Sequence, residues 1–223
     1  MENDIIAIVM AAGKGTRMKS KNSKLVQKIY GKEIVKRAVE NAEKAGVKDI
    51  VAVVGYKKEE VMKVLGDNIK YAFQDEMLGT GHAVMQAKEY LKGKKGKVLV
   101  LNGDVPLIRP ETLNKLIEKS IENKEYATLL TAIYDDPTGY GRIVRDEGGN
   151  IEGIVEEKDT TEEQKKITEI NAGIYCFDIE ALLEALEKIT PNNKQGEYYI
   201  TDVIQIMNNR GLKTGAVIVE DNT

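Results

Sequence analysis

In Ile5-Ile6-Ala7-Ile8-Val9-Met10-Ala11-Ala12-Gly13-Lys14-Gly15-Thr16-Arg17-Met18, six apolar residues run directly into a loop of small residues carrying two cations. Ile5–Met10 is short and suits a buried strand. The small residues from Met10 to Gly15 let a backbone approach a phosphate closely, and successive N–H groups can form an anion-binding nest. Lys14 and Arg17 add the charge that a triphosphate needs. The loop is not a Walker A motif, because Lys14 is followed by Gly15 rather than serine or threonine. It is not a full dinucleotide fingerprint either, since Met18 stands where a third glycine belongs. On residues alone, a phosphate cradle and a tight turn with solvated cations both remain open.

Working outward, short apolar runs alternate with helical patterns. Ile50–Gly55, Ile69–Gln74, Val98–Asn102 and Ala127–Tyr134 read as strands, and Ile34–Ala45, Lys58–Leu65, His82–Leu91 and Pro110–Asn123 as helices. Pro110 fits a first helical turn, where its missing N–H costs nothing. This alternation predicts an α/β fold with a mostly parallel sheet covered on both faces. From Gly139 the pattern changes. Arg142–Arg145 and Ile151–Glu156 flank Asp146-Glu147-Gly148-Gly149-Asn150 and read as a hairpin. A polar helix is expected at Thr161–Lys166, a strand at Ile170–Phe177, helices at Asp178–Leu186 and Tyr198–Asn209, and a last strand at Lys213–Val219. The expectation is one domain over 1–223, with a nucleotide-binding half to about 135 and a small β-rich insertion in a second half, 136–223, that builds the other side of a cleft.

Composition narrows the function classes. The 223 residues are 42% hydrophobic and 31% charged, enough for a full core in a soluble protein. A net charge of -3 gives no reason to expect nucleic acid or a membrane surface as partner. Six apolar residues near the N-terminus are too few for a membrane span and lack the features of a signal peptide, so a cytoplasmic location is expected. Cys176 is the only cysteine, and its apolar surroundings fit a buried structural thiol.

Several polar residues stand where chemistry is possible. Lys24 ends a cation-rich stretch, either a solvated connection or a mobile charge for a phosphate. Gln74 closes a strand at the carboxyl edge where open sheets bind ligands, and offers both a donor and an acceptor. His82, the only histidine, suits loop orientation or helix capping better than general-base work. Asp104 follows a strand in Asn102-Gly103-Asp104, either as a turn residue or as a carboxylate for magnesium, which accepts one or two carboxylates plus phosphates and water. Glu156 and Glu157 are either exposed hairpin charges or ligand acceptors.

Five blocks make the pattern specific. Ala11-Ala12-Gly13-Lys14-Gly15-Thr16-Arg17-Met18 resembles the signature loop of sugar-phosphate nucleotidyltransferases. Leu78-Gly79-Thr80-Gly81-His82-Ala83, Asn102-Gly103-Asp104-Val105-Pro106-Leu107, Asp135-Asp136-Pro137-Thr138-Gly139-Tyr140-Gly141-Arg142 and Gln195-Gly196-Glu197-Tyr198-Tyr199-Ile200-Thr201-Asp202 resemble the uridyltransferase domain of the bacterial bifunctional N-acetylglucosamine-1-phosphate uridyltransferase/glucosamine-1-phosphate acetyltransferase. They occur in that family's order and cover nearly the whole chain.

The resemblance implies a Rossmann-like three-layer nucleotidyltransferase fold and transfer of uridylyl from UTP to N-acetylglucosamine 1-phosphate, giving UDP-N-acetylglucosamine and pyrophosphate. It implies that Met10, Ala11, Ala12, Gly13, Lys14, Gly15 and Thr16 hold the nucleotide. Gln74, Gly79 and Thr80 would form the base and ribose pocket, and Asn102 and Gly103 would flank the nucleotide. Gly141, Glu156, Asn171, Tyr199 and Thr201 would line the amino-sugar pocket. Arg17, Lys24 and Asp104 would be catalytic, with Asp104 a ligand of magnesium (Mg2+). Two positions depart from the family pattern. Ser23 replaces a proline before Lys24, implying a less rigid loop, and Ala172 replaces a threonine, removing a hydroxyl beside Asn171. In the family a second magnesium ligand, an asparagine, lies just past Thr223, followed by a trimer-forming β-helical acetyltransferase domain. No hexapeptide repeat occurs in these residues, so acetyl transfer is not expected of them; on a competing view these residues carry a substitute metal ligand, Asp202 or Asp221. The rival readings are a cousin using another base or sugar, such as a thymidylyltransferase, and a nucleotide-sugar-binding module without turnover.

Overall fold

A computed structural model describes residues 5–15 and 22–219, so Thr16, Arg17 and Asp221 lie outside the described residues. β1 (Ile5–Ala11) leads through a 3-10 turn at Lys24–Val26 and a small hairpin, β2 (Lys28–Ile29) and β3 (Lys32–Glu33), into α1 (Ile34–Lys44). Then follow β4 (Asp49–Val54), α2 (Lys58–Leu65), β5 (Lys70–Phe73), α3 (Thr80–Gln86), α4 (Lys88–Leu91), β6 (Lys97–Asn102), α5 (Pro110–Glu122) and β7 (Ala127–Ile133). The remainder is β8 (Arg142–Arg145), β9 (Ile151–Val155), β10 (Glu169–Asp178), α6 (Ile179–Leu186), α7 (Asp202–Asn209) and β11 (Thr214–Val219).

The central sheet has the order β11-β7-β10-β6-β1-β4-β5. β1 pairs in parallel with β4 and β6, β4 with β5, and β7 with β11, whereas β10 runs antiparallel to both β6 and β7. The sheet is therefore mostly parallel, as the strand–helix alternation predicts. Alternate residues of each strand enter opposite layers. Ile6, Ile8, Val51, Val53, Val98 and Val100 pack with α3, α4, α6 and α7. Ala7, Val9, Ile50, Ala52, Leu99 and Leu101 pack with α1, α2 and α5. Burial on both faces is why these strands read as continuous apolar runs rather than as alternating ones. Among the described residues, no helix is long and apolar enough to cross a membrane.

The second half does more than form an insertion. It returns β10 and β11 to the central sheet, while the β8–β9 hairpin joins it by pairing β8 with β10. The helix expected over His82–Leu91 breaks at Ala87, whose N–H turns back to Val84 and Met85. Ala87 is fully buried there, and Val84 and Leu91 reach the same core. The helix expected from Tyr198 starts at Asp202, because Tyr198 is committed elsewhere: its N–H donates to Leu78 O and its carbonyl accepts from Gly81 N. Thr161–Lys166 yields only a 3-10 turn at Gln164–Lys166. Thr161 and Gln164 cap one another reciprocally, but the turn buries no residue that would extend it.

Candidate active site

β1, β4, β5 and β6 all end at one edge, and β4 and β6 lie on opposite sides of β1. Open α/β sheets bind ligands at such switch points, outside the carboxyl ends of the strands. The glycine loop leaves β1 here. Met10 O accepts from Gly103 N at 2.8 Å and Ala12 O accepts from Tyr56 N at 3.0 Å, which ties the loop to its neighbours. Gly15 has φ +57°, and a Cβ there would sit 2.9 Å from Cβ of Lys24. Only glycine suits both that dihedral and that approach.

Two cavities open at this edge. A smaller one of about 360 Å³ is lined by Ala12, Gly13, Lys14, Gly15, Gln74 and Gly79, with Leu25, Met77, Ala83 and Glu197. A larger one of about 600 Å³ is lined by Gly141, Glu156, Asn171 and Tyr175, with the Thr138–Tyr140 turn, Val105, Ala172, Gly173 and Ile200. Met10, Lys24, Thr80, Asn102 and Asp104 line both. At the junction Lys24 Nζ lies 2.8 Å from Asp104 Oδ2, with both side chains about one-third exposed (33% and 38%). A partly exposed carboxylate that already holds a cation between two cavities has the donor character a magnesium ion needs.

The placement of Lys24 has a cause the sequence hid. Ser23 is buried, its N–H donates to Glu60 Oε2 of α2 at 2.8 Å, and its Oγ accepts from Leu25 N at 3.3 Å. A proline has no N–H and could not make the first bond. Serine therefore anchors the segment rather than loosening it, contrary to the expectation of a less rigid loop. The Ser23 N–H and the nearby Lys57 hold the Glu60 carboxyl below its usual range.

Around the larger cavity, Asn171 Nδ2 donates to Tyr175 Oη at 2.7 Å and Asn171 Oδ1 accepts from Gly173 N at 3.0 Å. The register of β10 against β7 shifts between Asn171 and Tyr175, and this irregularity brings both side chains to the cavity. The Tyr175 phenol thus supplies a hydroxyl beside Asn171 where Ala172 cannot. Thr201 Oγ1 donates to Glu156 Oε1 at 3.1 Å. Burial raises the Glu156 carboxyl above its usual range, and the Thr201 bond only partly offsets it. Hydrogen bonds from ligand hydroxyls would lower it again.

Arg142, almost fully buried, donates to Tyr140 O and lies 2.7 Å from Glu157 Oε2, clamping the segments that carry Gly141 and Glu156. Tyr175 and Arg142 were not legible as site residues, because a strand irregularity turns Tyr175 to Asn171 and the β8–β9 pairing brings Arg142 to Glu157. Ala11, Gly103, Tyr199 and Thr201 do not line either cavity. Ala11 packs into the core, Gly103 bonds to Met10, and Thr201 acts through Glu156. The Tyr199 phenol accepts from Gln195 Nε2 at 2.6 Å and is pushed up to about 12, chiefly by burial. Asp202 lines neither cavity, and burial, with Asp159 nearby, pushes its carboxyl up to about 6. Burial pushes the Cys176 thiol up to about 11, which suits a structural role.

Gly79, in the wall of the smaller cavity, packs against the Tyr198 backbone. It sits at φ +109°, ψ 176°, and a Cβ there would lie 2.5 Å from Tyr198 O. That backbone region is essentially restricted to glycine. Gly79→Ala should therefore destabilise the fold by roughly 2 to 3 kcal/mol. Thermal melting should show a loss of roughly 5 to 10 °C; an unchanged Tm would mean that the Tyr198 segment yields freely.

A sequence model of the family described as nucleotidyl transferase matches residues 6–223. The chain belongs to the nucleotidyl transferase family. It is 53% identical over 217 residues to the bifunctional protein GlmU of Caldanaerobacter subterraneus subsp. tengcongensis, covering 97% of this chain and 47% of that protein. The bifunctional protein GlmU of Clostridioides difficile is 52% identical over 210 residues, covering 94% of this chain and 46% of its own length. The chain thus spans about half the length of the curated relatives it matches, aligning with their N-terminal part. The fold also matches a putative glucose-1-phosphate thymidylyltransferase of Bacillus anthracis, crystallised with sucrose. The TM-score is 0.80, with 21% identity, 97% coverage of this chain and 87% of that one.

Proposed function

We propose that this nucleotidyltransferase transfers uridylyl from UTP to N-acetylglucosamine 1-phosphate, releasing pyrophosphate and forming UDP-N-acetylglucosamine, a cell-wall precursor, in the cytoplasm. The observation that carries the proposal is the pair of cavities meeting at Lys24 and Asp104. One is lined by the glycine loop and Gln74, the other by Gly141, Glu156 and Asn171, so two substrates would touch only at the shared wall. Residues to about 135 would serve the nucleotide and those beyond it chiefly the sugar.

The sugar phosphate is already ionised, so in-line attack of its oxygen on the α-phosphorus of UTP needs no general base. Catalysis becomes positioning and charge neutralisation. Loop N–H groups with Lys14 and Arg17 hold the departing pyrophosphate, while Lys24 follows charge on the transferring phosphate. Asp104 would hold magnesium together with substrate phosphates, and the bound ion supplies charge neutralisation at the reacting oxygens. Glu156, kept in place by Thr201, accepts from sugar hydroxyls, and Gly141 and Asn171 complete the sugar contacts.

A pyrophosphate-release assay with a panel of triphosphates and sugar phosphates tests this. UTP with N-acetylglucosamine 1-phosphate should be fastest, with kcat/KM at least about 100-fold above CTP, ATP or GTP, because a wrong base leaves buried polar groups unpaired. Equal rates with all four would overturn the base assignment, and binding without pyrophosphate release would favour a non-catalytic module. The panel needs dTTP as well, since thymine and uracil share the same imide edge.

A further inference from the structure

The single histidine is not used by the chemistry above, yet its ring lies between two glutamine amides. Gln74 Nε2 is 3.0 Å from Gly79 O and 3.1 Å from His82 Nδ1, while Gln86 Nε2 is 3.1 Å from His82 Nε2 and 3.1 Å from His82 O. A neutral imidazole has one N–H and one acceptor nitrogen, so it cannot accept from both amides. One glutamine must give way.

Exposure decides which. Gln74 is 3% exposed and faces the Gly79 carbonyl, which can only accept, so the atom there must be nitrogen. Reversing this amide would oppose two oxygens in a buried site. Gln86 is only half-buried, so it can give up its bond to His82 O, which water can replace, and turn its own oxygen to the ring. The proton then belongs on Nε2, and Nδ1 accepts from Gln74. Both Gln74 amide protons are taken within the protein, leaving its carbonyl oxygen as the group that meets a base in the smaller cavity. Uracil presents a donor at N3, whereas cytosine presents an acceptor there.

We propose that His82 is a specificity-positioning residue. As the neutral Nε2–H tautomer, it locks the Gln74 amide with its oxygen toward the base and so selects UTP over CTP. The proposal rests on the nucleotide-pocket reading above, which the Gln74 variant below tests separately.

Because His82 is the only histidine, two-bond 1H–15N spectra of the labelled intact protein report its tautomer without any substitution. The Nε2–H pattern is expected, and an Nδ1–H or doubly protonated ring at neutral pH would overturn the proposal. In kinetics, His82→Leu removes the acceptor, whereas His82→Asn can place an amide oxygen close to the Nδ1 position. The UTP-over-CTP ratio of kcat/KM should fall roughly tenfold in His82→Leu and stay within about threefold of wild type in His82→Asn. An unchanged ratio in His82→Leu, or equal losses in both variants, sinks the proposal. Gln74→Ala should collapse the ratio. If it does not, Gln74 does not read the base and the pocket reading fails; if it does while His82→Leu has no effect, only the role of His82 is lost.

Discussion

Asp104→Asn should lower pyrophosphate release by roughly three orders of magnitude, the scale expected when a preorganised electrostatic contact to the transition state is lost. The substitution keeps the shape of the side chain and removes only the charge. Folding should survive it, because Asp104 and Lys24 are each about one-third exposed (38% and 33%) and such ion pairs contribute little to stability. Initial rates against magnesium concentration check the expectation, with thermal melting as the control for folding. Turnover within tenfold of wild type at saturating magnesium would remove Asp104 from the metal site. High magnesium is not expected to restore the rate, since the other donors are substrate oxygens and water.

Lys24→Ala should cost roughly two to three orders of magnitude in kcat, as loss of one transition-state donor typically does. It should also leave a distinctive trace. Lys24 Nζ lies 2.8 Å from Asp104 Oδ2, so a divalent cation at this carboxylate would compete with that ammonium. With the ammonium gone, half-saturation by magnesium should fall to lower concentration even as kcat drops. A kcat near wild type would remove Lys24 from the mechanism, and a rise in the magnesium requirement would show that the pair does not compete with the metal. Arg17→Ala, in the loop beyond the described residues, should cost a similar factor without shifting the magnesium dependence. These different signatures would separate a role beside a bound metal from a role in holding the departing pyrophosphate.

The parts of this protein that were legible in its sequence share one property: their causes are local. Ile5–Met10 and Val98–Asn102 read as strands because burial on both faces demands unbroken apolar runs. Pro110 marks the first turn of α5 because the helix needs no N–H there. The small residues of Met10–Gly15 and the cations Lys14 and Arg17 are equally legible, and on residues alone they fit either a phosphate cradle or a tight solvated turn. Ala12, Gly13, Lys14 and Gly15 of this loop line the smaller cavity, whereas Leu25, Met77, Ala83 and Glu197 of the same wall were not among the expected site residues.

What escaped reading depends on packing, strand register and contacts between elements. The break at Ala87 follows from burial against the sheet, and alanine carries no signal for a break. Tyr198 leaves the helical pattern because its backbone pairs with Leu78 and Gly81, over a hundred residues earlier. Ser23 looked like a loss of rigidity until Glu60 of α2 accepted its N–H. Tyr175 reaches Asn171 only through the register shift of β10, and Arg142 clamps segments that the sequence separates.

The sequence by itself determined the alternation of strands and helices and the glycine-rich loop that follows the first strand, because backbone sterics and hydrophobic period act over a few residues. Only the tertiary structure decided that β10 runs antiparallel between β6 and β7, that Lys24 meets Asp104, and that the Gln74 amide nitrogen meets Gly79 O. Strand direction, ion pairing across 80 residues and the orientation of a buried amide are set by which groups packing brings within hydrogen-bond reach, and no local pattern encodes that.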